Sequence, residues 1–245
     1  MKISRFYQQS EMIIGDELEL STTNHRHAIQ VLRLKLDHTL ILFNGKGGEY
    51  QAKLIDTNKR SSRVLLENFN SIDRESHLSS TLALAMIKPD KMDYAIQKSV
   101  ELGVSIIQPI YTKRSVIKIK ANRIDKKMQH WHGIIIAACE QSGRTKLPEL
   151  RKPLKIESFL DSNLSTDQET SCIAMLPGKY PKIHELSDRK NLSLLIGPEG
   201  GFTDDEEAMM LQKGVSPINF GVRILRAETA VVAGLTACQQ LWGDL

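Results

Sequence analysis

The residues best suited to chemistry form one glycine-rich turn that directly follows an apolar stretch. Leu194-Leu195-Ile196 runs into Gly197-Pro198-Glu199-Gly200-Gly201. Glycines in such a turn let backbone N–H and C=O groups approach a ligand closely, because no Cβ atom stands in the way. In open α/β sheets, ligands bind at the carboxyl ends of the strands. We therefore expect a ligand site here. The alternative is a tight turn whose glycines serve only the backbone conformation.

This turn does not match the known phosphate-binding loops. It contains neither the G-x-x-x-x-G-K-[ST] pattern nor the G-x-G-x-x-G pattern. Pro198 removes a backbone donor and Glu199 adds negative charge, and both changes disfavour a pyrophosphate. We therefore expect a nucleoside without phosphates, and one that carries positive charge would suit Glu199.

The flanking sequence predicts the elements that hold the turn. A buried strand is expected over 192–196, and Thr203 with Glu206 has the spacing of a helix capping box, which predicts a helix over 203–213. Two further predicted strands, 172–176 and 216–220, end in similar turns. Three such turns at one sheet edge favour a ligand site over three unrelated turns.

The rest of the C-terminal part alternates predicted strands and helices, which indicates an α/β fold. The near-continuous apolar run 82–87 is typical of a strand covered on both faces, and 106–110 is a second strand. Helices are predicted from Asp90, over 122–141 and over 228–241. The acidic segment 153–169 is expected to be a loop.

Residues 1–72 show a different pattern, with short strands and turns that suggest a small β-barrel. The clearest signal is the apolar strand 40–43 followed by Asn44-Gly45, a strong hairpin sequence. A brief helix is predicted over 25–34, with Ala28, Val31 and Leu32 on one face. Such a barrel is either an RNA-binding module or an appended scaffold. We place the second domain at 73–245.

Charge is distributed unevenly along the 245 residues. Segment 76–155 carries 15 basic and 6 acidic residues, whereas the chain as a whole has a net charge of +4. A basic section of this kind is the footprint of a polyanion, and nucleic acid is the commonest one. The alternative is a solvated, lysine-rich surface.

Other compositional features narrow the class of protein. No stretch approaches the roughly 20 apolar residues of a membrane span, and the N-terminus lacks the apolar core of a signal peptide. We therefore expect a cytoplasmic protein. The three cysteines, Cys139, Cys172 and Cys238, lie far apart without ligand spacing, which disfavours a disulfide framework and a zinc site. We expect small buried side chains there and no metal.

Taken together, the motifs resemble the ribosomal RNA small subunit methyltransferase E family. The similar segments are 195–202, 220–230, 91–92, 97–104, 137–144 and His27-x-x-x-Val31-Leu32-Arg33. Their order and spacing cover almost the whole chain. The resemblance implies a SPOUT methyltransferase domain with a trefoil knot, an N-terminal PUA-like β-barrel, and S-adenosylmethionine as cofactor. It also implies a homodimer that methylates N3 of a uridine in 16S rRNA, expected to act on the assembled small ribosomal subunit.

The resemblance also implies roles for individual residues. The cofactor-binding set is Leu176, Pro177, Leu195, Ile196, Gly197, Pro198, Glu199, Gly200, Gly201, Phe220, Gly221, Ile224, Leu225, Arg226, Thr229 and Ala230. The candidates for RNA contact are Arg5, Arg26, Arg33, Arg114, Gln141, Arg144 and Arg223. Arg226 is the first choice for stabilising a developing uracil anion, the alternatives being a phosphate clamp or a helix-end salt bridge. Glu199 is the second catalytic candidate, through the sulfonium charge.

Two positions depart from the family pattern, which often has Pro where Val222 stands and Gly where Pro89 stands.

Two other functions stay open. One is a SPOUT methyltransferase that acts on a different RNA nucleotide. The other is a non-catalytic RNA-binding assembly factor, against which the intact glycine turns argue.

Overall fold

The computed structural model describes residues 3–164 and 170–245. The chain divides into two compact units, and each is described by itself. The first unit joins 1–75 with 139–147, and the second joins 76–138 with 148–245. The division into one domain over 1–72 and a second over 73–245 stays a prediction.

The first unit is built on a five-stranded mixed sheet. Its strands are β1 (Arg5–Tyr7), β2 (Glu17–Glu19), β3 (Thr39–Phe43), β4 (Glu49–Thr57) and β5 (Ser62–Asn70). They lie in the order β1-β3-β4-β5-β2, with β1 parallel to β3 and the other pairs antiparallel. Alternate residues such as Leu40, Leu42, Ala52 and Leu54 are fully buried, as expected for a sheet with one face on the core.

The short helix predicted over 25–34 has a different winding. An α-helical turn, α1 (Thr22–His25), continues into a π-helical segment, Arg26–Val31. There the Leu32 N–H donates to the carbonyl of His27, five residues back. Because this wider turn breaks the 3.6-residue period, only Ala28 of the predicted face is buried. Val31 and Leu32, which the predicted helix puts on the same face as Ala28, are both exposed.

The second unit contains a parallel sheet. Its strands are β6 (Ser79–Ala85), β7 (Ile106–Tyr111), β8 (Glu149–Leu150), β9 (Leu154–Lys155), β10 (Thr170–Met175), β11 (Asn191–Ile196) and β12 (Ser216–Ile218). The order is β12-β10-β11-β6-β7-β8, and β9 also pairs with β7. The helices are α2 (Pro89–Glu101), α3 (Ile124–Ser142), α4 (Ile156–Leu164), α5 (Asp204–Gln212) and α6 (Ala227–Trp242). The predicted α/β class is confirmed.

The core of the second unit explains how α6 is placed. A Cβ atom at Gly234 would lie 2.8 Å from the sulfur of Met175 and 2.9 Å from a methyl carbon of Leu194. The backbone of α6 therefore packs directly against β10 and β11, and this close approach fixes the first turn of α6 beside the sheet edge. Another core cluster packs Phe159 of α4 and Met210 of α5 against the same strands.

The loop predicted over 153–169 was wrong for its first part, where the structure has β9 and α4. Ile156, Phe159 and Leu160 are fully buried at helical spacing, and this apolar stripe outweighs the acidic composition. Residues 165–169 lie outside the described residues.

The three cysteines are buried and free, and burial raises the pKa of each thiol to about 12. Within 3–164 and 170–245, no helix has the length and apolar character needed to cross a bilayer.

Candidate cofactor and active site

A cavity of about 840 Å³ opens at the carboxyl edge of the parallel sheet. Its walls come from the segments that follow β10, β11 and β12, and Lys88 and Lys91 after β6 complete them. Parallel strands all present their carboxyl ends to the same edge, which is why these distant segments meet. The three turns singled out in the sequence therefore line one space.

Most of the predicted cofactor-binding residues line this cavity. They are Leu176, Pro177, Ile196, Gly197, Pro198, Glu199, Gly201, Phe220, Gly221, Ile224, Leu225, Arg226 and Ala230. The remaining three lie outside its lining. Leu195 is fully buried in the core, Gly200 lies beside the side chain of Arg114, and Thr229 is exposed on α6.

The loop after β11 is held by a buried carboxylate. Glu206, which is 1% exposed, accepts through one oxygen from the N–H of Thr203 at 2.9 Å. Its other oxygen accepts from the N–H of Lys113 at 2.7 Å. The Thr203 hydroxyl in turn accepts from the N–H of Glu206, which completes the predicted capping box. One side chain thus joins the start of α5 to the segment after β7.

Arg114 adds a second connection between the same two segments. Its guanidinium donates to the carbonyls of Gly200 and Phe202, each at 2.9 Å. A charged donor that serves two carbonyls fixes the path of the loop between them. In this structure, the side chain predicted to contact RNA therefore supports the glycine-rich turn.

Glycine leaves open space along the cavity wall. Gly201 and Gly221 have positive φ angles of 69° and 90°, and no heavy atom lies within 4 Å of the position that a Cβ would take. At Gly197, by contrast, a Cβ would lie 3.1 Å from the ring of Phe202. The turns thus expose backbone groups and keep room for a ligand, as the sequence indicated.

Asn219, which no sequence motif indicated, connects the loop after β10 to the loop after β12. Its amide nitrogen donates to the carbonyl of Gly178 at 2.7 Å, and its amide oxygen accepts from the N–H of Gly221 at 2.7 Å. Lys88, Lys91, Met175 and Phe202 are further lining residues that were missed. Lys91 and Phe202 lie in segments that carry the family resemblance, whereas Lys88 and Met175 have only their position near the end of a strand as a signal.

The acidic side chains around the cavity have partners within the protein, whereas two arginines do not have them in the described residues. Glu199 accepts from the N–H of Lys88 at 3.1 Å, and Glu228 pairs with Lys91 at 3.3 Å. Arg223 and Arg226 are lining residues, and their guanidinium groups make no hydrogen bond or ion pair to the described parts of the chain. Two cations are therefore available at the rim.

Pro89 and Val222, the two positions that depart from the family pattern, lie at a helix start and on an exposed loop. Pro89 occupies the first position of α2, where its fixed φ angle and missing N–H suit a helix start. Lys88 is the N-cap of that helix, where its carbonyl accepts from the N–H of Met92, and its own N–H donates to Glu199. Val222 is 96% exposed on the loop after β12.

Two predicted RNA contacts instead have their guanidinium groups bonded within the first unit. Arg5 pairs with Glu49 and donates to the carbonyls of Gly143 and Arg144. The Arg144 side chain is buried and pairs with Glu75. Of the other candidates, Arg26, Arg33 and Gln141 have exposed side chains.

Comparisons with known proteins agree with this architecture. Residues 74–239 match the RNA methyltransferase domain family, and residues 15–67 match the RNA methyltransferase PUA domain family. Ribosomal RNA small subunit methyltransferase E of Buchnera aphidicola (subspecies Schizaphis graminum) is 34% identical over 245 residues, which covers 100% of this chain and 98% of the relative. The chain belongs to the ribosomal RNA small subunit methyltransferase E family.

Two solved structures extend the methyltransferase E comparison to the cofactor. A methyltransferase from Legionella pneumophila in complex with S-adenosylmethionine is 36% identical, with a TM-score of 0.93 and full coverage of both chains. The Neisseria gonorrhoeae methyltransferase E, bound to the same cofactor, is 33% identical, with a TM-score of 0.92 and full coverage of both chains. The SPOUT methyltransferase domain and the N-terminal PUA domain of this chain are therefore confirmed.

The donor set of the cavity suits an organic cofactor. Its walls combine bare glycine backbone, apolar side chains such as Ile196 and Leu225, and two carboxylates. Apolar walls with a few polar groups are typical of nucleoside-sized ligands. In the described residues, no group of three or more His, Cys, Asp and Glu side chains is arranged to hold a metal ion.

Proposed function

We propose that this protein transfers a methyl group from S-adenosylmethionine to N3 of a specific uridine in 16S rRNA, on the assembled small ribosomal subunit in the cytoplasm. The observation that carries the proposal is the cavity at the sheet edge, lined by Arg226, whose guanidinium has no partner among the described residues. The full-length similarity to methyltransferase E proteins, two of whose relatives were solved with this cofactor, supports it.

The cavity residues fit this cofactor. When bound, S-adenosylmethionine supplies a methyl group attached to a positively charged sulfur. The loops 176–178, 197–201 and 220–226 offer backbone donors and acceptors to a nucleoside and an amino acid, while Ile196 and Leu225 exclude water. Glu199 and Glu228 add negative charge that favours a cation.

Arg226 suits the second requirement of the reaction. The N3–H of uracil is only weakly acidic, so negative charge develops on the ring as its proton leaves. A positioned guanidinium in a partly water-excluded site stabilises such a charge strongly. Arg226 sits at the N-terminal cap of α6, whose positive dipole end acts in the same direction. Glu199 keeps one carboxylate oxygen without a described partner and serves as the carboxylate that faces the cofactor.

We further propose that the protein acts as a homodimer. Val222 and Ile224 are large apolar side chains that are 96% and 90% exposed on the cavity loop. Exposed apolar groups on an ordered loop are typical of surfaces that another chain covers. We also propose that the second domain contains the trefoil knot that the family resemblance implies. The proposed domains are 1–72 and 73–245.

A methylation assay tests the proposal. Purified protein is combined with radiolabelled S-adenosylmethionine and small ribosomal subunits from a strain that lacks the enzyme, and the rRNA is then digested for nucleoside mass spectrometry. We expect 3-methyluridine. A different methylated nucleoside would move the function to another RNA base. Cofactor binding without transfer, to either subunits or free 16S rRNA, would refute the proposed substrate.

Two arginine variants then separate chemistry from RNA binding. Arg226→Ala should lower kcat by about 100-fold, the effect of removing one preorganised charge-stabilising donor. Arg223→Ala should raise the KM for the ribosomal subunit and leave kcat unchanged, because a phosphate contact acts on binding. If Arg226→Ala keeps its kcat, the anion-stabilising role is wrong.

A further inference from the structure

The most basic stretch of the second unit runs from Lys113 to Lys127. It contains seven lysine and arginine residues and a single acidic residue, Asp125. Two of the cations are neutralised locally, because Lys113 pairs with Asp205 and Lys127 pairs with Asp93. Charge of one sign concentrated over so short a segment creates a local positive potential.

The remaining surface cations of this segment form no side-chain ion pair with the described part of the chain. The side chains of Lys118, Lys120, Arg123 and Lys126 are exposed and form no ion pair or hydrogen bond to residues 3–164 or 170–245. Ile117 and Ile119, on either side of Lys118, are partly buried. Burial therefore alternates over 117–120, whereas the exposed Arg123 ends a 3-10 turn and the exposed Lys126 lies in the first turn of α3. We call these four residues the basic strip.

The basic strip is connected to the cavity by the chain itself. Just before it, Lys113 donates its backbone N–H to Glu206, and Arg114 donates to the carbonyls of Gly200 and Phe202. Gly201 and Phe202 line the cavity. The strip thus begins at the segment that fixes the glycine-rich turn, where a macromolecular substrate must approach.

We propose that the basic strip binds the phosphate backbone of the RNA substrate, without reading its sequence, and so holds the target nucleotide near the cavity. This inference rests on the proposed function, because it takes RNA as the polyanion. Flexible, strongly charged lysine side chains without fixed geometry suit phosphate contacts more than base recognition. The established similarity to rRNA methyltransferases assigns no role to these four side chains.

The test measures RNA affinity as a function of salt. A fluorescein-labelled single-stranded RNA is titrated with the full chain and with the triple variant Lys118→Ala/Lys120→Ala/Arg123→Ala, and fluorescence anisotropy is recorded over a series of salt concentrations. Each phosphate contact contributes about 0.7 to the slope of log K against log salt for single strands. Loss of three contacts should therefore reduce the slope by about 2 and weaken binding by up to about 100-fold near 0.1 M salt.

A second triple variant with the same loss of charge is the control. Lys59→Ala/Arg60→Ala/Lys190→Ala also removes two lysines and one arginine, all without ion pairs in the described structure. Lys59 and Arg60 lie in the turn between β4 and β5, and Lys190 precedes β11 at the amino edge of the sheet. The control variant should keep a steeper dependence of log K on log salt than the strip variant does. Equal losses in both variants would show that the strip contributes no more to RNA binding than other exposed cations do, and would overturn the proposal.

Two further measurements separate this inference from the proposed function. Thermal unfolding and S-adenosylmethionine binding should match the unmodified protein, because the three exposed side chains make no hydrogen bond or ion pair with the described chain. If the protein makes no 3-methyluridine but the strip variant loses RNA affinity, the strip stands and the proposed reaction fails. If methylation occurs but the strip variant keeps the RNA slope, the strip is wrong. Reduced binding to phosphatidylserine vesicles, with RNA binding unchanged, would assign the strip to a membrane surface and likewise overturn it.

Discussion

Replacing Glu206 with Gln tests whether one buried carboxylate holds the active-site loop. The two oxygens of Glu206 accept from two different backbone donors, Thr203 at 2.9 Å and Lys113 at 2.7 Å. An amide has one acceptor oxygen and one NH₂ group, which can only donate. In Glu206→Gln, one of these two backbone N–H groups must therefore face another donor.

The expected cost follows from this geometry. Hydrogen bonds to a charged group contribute about 1.5–3 kcal/mol, and a buried donor left without an acceptor costs about 1–3 kcal/mol. Because the same bond is counted in both figures, we expect a net loss of about 3 kcal/mol. For a domain of 150–250 residues, this corresponds to a fall in Tm of roughly 9 °C.

Glu207→Gln is the matched control, with the same substitution one position later in α5. The side chain of Glu207 makes no hydrogen bond in the described structure, and burial together with the nearby Asp204 raises the pKa of its carboxyl group. Both substitutions remove one negative charge from the first turn of the same helix, so the effect on the helix dipole cancels in the comparison.

The assay follows thermal unfolding by circular dichroism and S-adenosylmethionine binding by isothermal titration. Glu206→Gln should have the lower Tm and the weaker cofactor affinity, because the loop over 197–203 loses one support. Equal Tm values for the two variants would refute the reasoning, since they would show that the buried bonds contribute no more than the charge.

Three other changes have distinct expected outcomes. Arg114→Ala should weaken S-adenosylmethionine binding in titration calorimetry, whereas Lys118→Ala should not, because only Arg114 donates to the turn carbonyls. Gly221→Val should abolish cofactor binding, while Gly221→Asn should keep more of it, because Asn tolerates the positive φ angle better than a β-branched residue. Burial raises the pKa of Glu49, but hydrogen bonds from Arg5 and Arg74 outweigh it and hold that pKa below its usual range. The stability contributed by Glu49 is therefore present at neutral pH and lost as pH falls through its lowered pKa, so the gap in unfolding free energy between wild type and Glu49→Gln should shrink in acid.

Local sequence rules predicted much of the active-site framework. The strand before Gly197, the capping box of Thr203 and Glu206, and the helix from Asp90 depend on residues close together in the chain, so spacing suffices to find them. The α4 helix was missed because three buried apolar residues stand among acidic and polar ones. Its stripe of Ile156, Phe159 and Leu160 becomes decisive only once a sheet is present to cover it.

The partners of individual side chains were beyond the sequence. Arg5 meets Glu49 and Arg144 meets Glu75 across separations of 44 and 69 residues. Local composition does not show which distant carboxylate will pair with a given arginine. The same is true of Arg114, whose two carbonyl acceptors lie 86 and 88 residues later.

The cavity walls have a consequence for the lifetime of the folded chain. They come from segments after β10, β11 and β12, which are joined only by parallel pairing and not by hairpins. No partly folded chain that lacks one of these strands can present the complete cavity, so the cofactor binds only the fully assembled unit. A ligand selective for the native state at about 100 times its Kd stabilises that state by about 2.7 kcal/mol. Bound S-adenosylmethionine therefore protects this protein against unfolding and proteolysis in addition to supplying the methyl group.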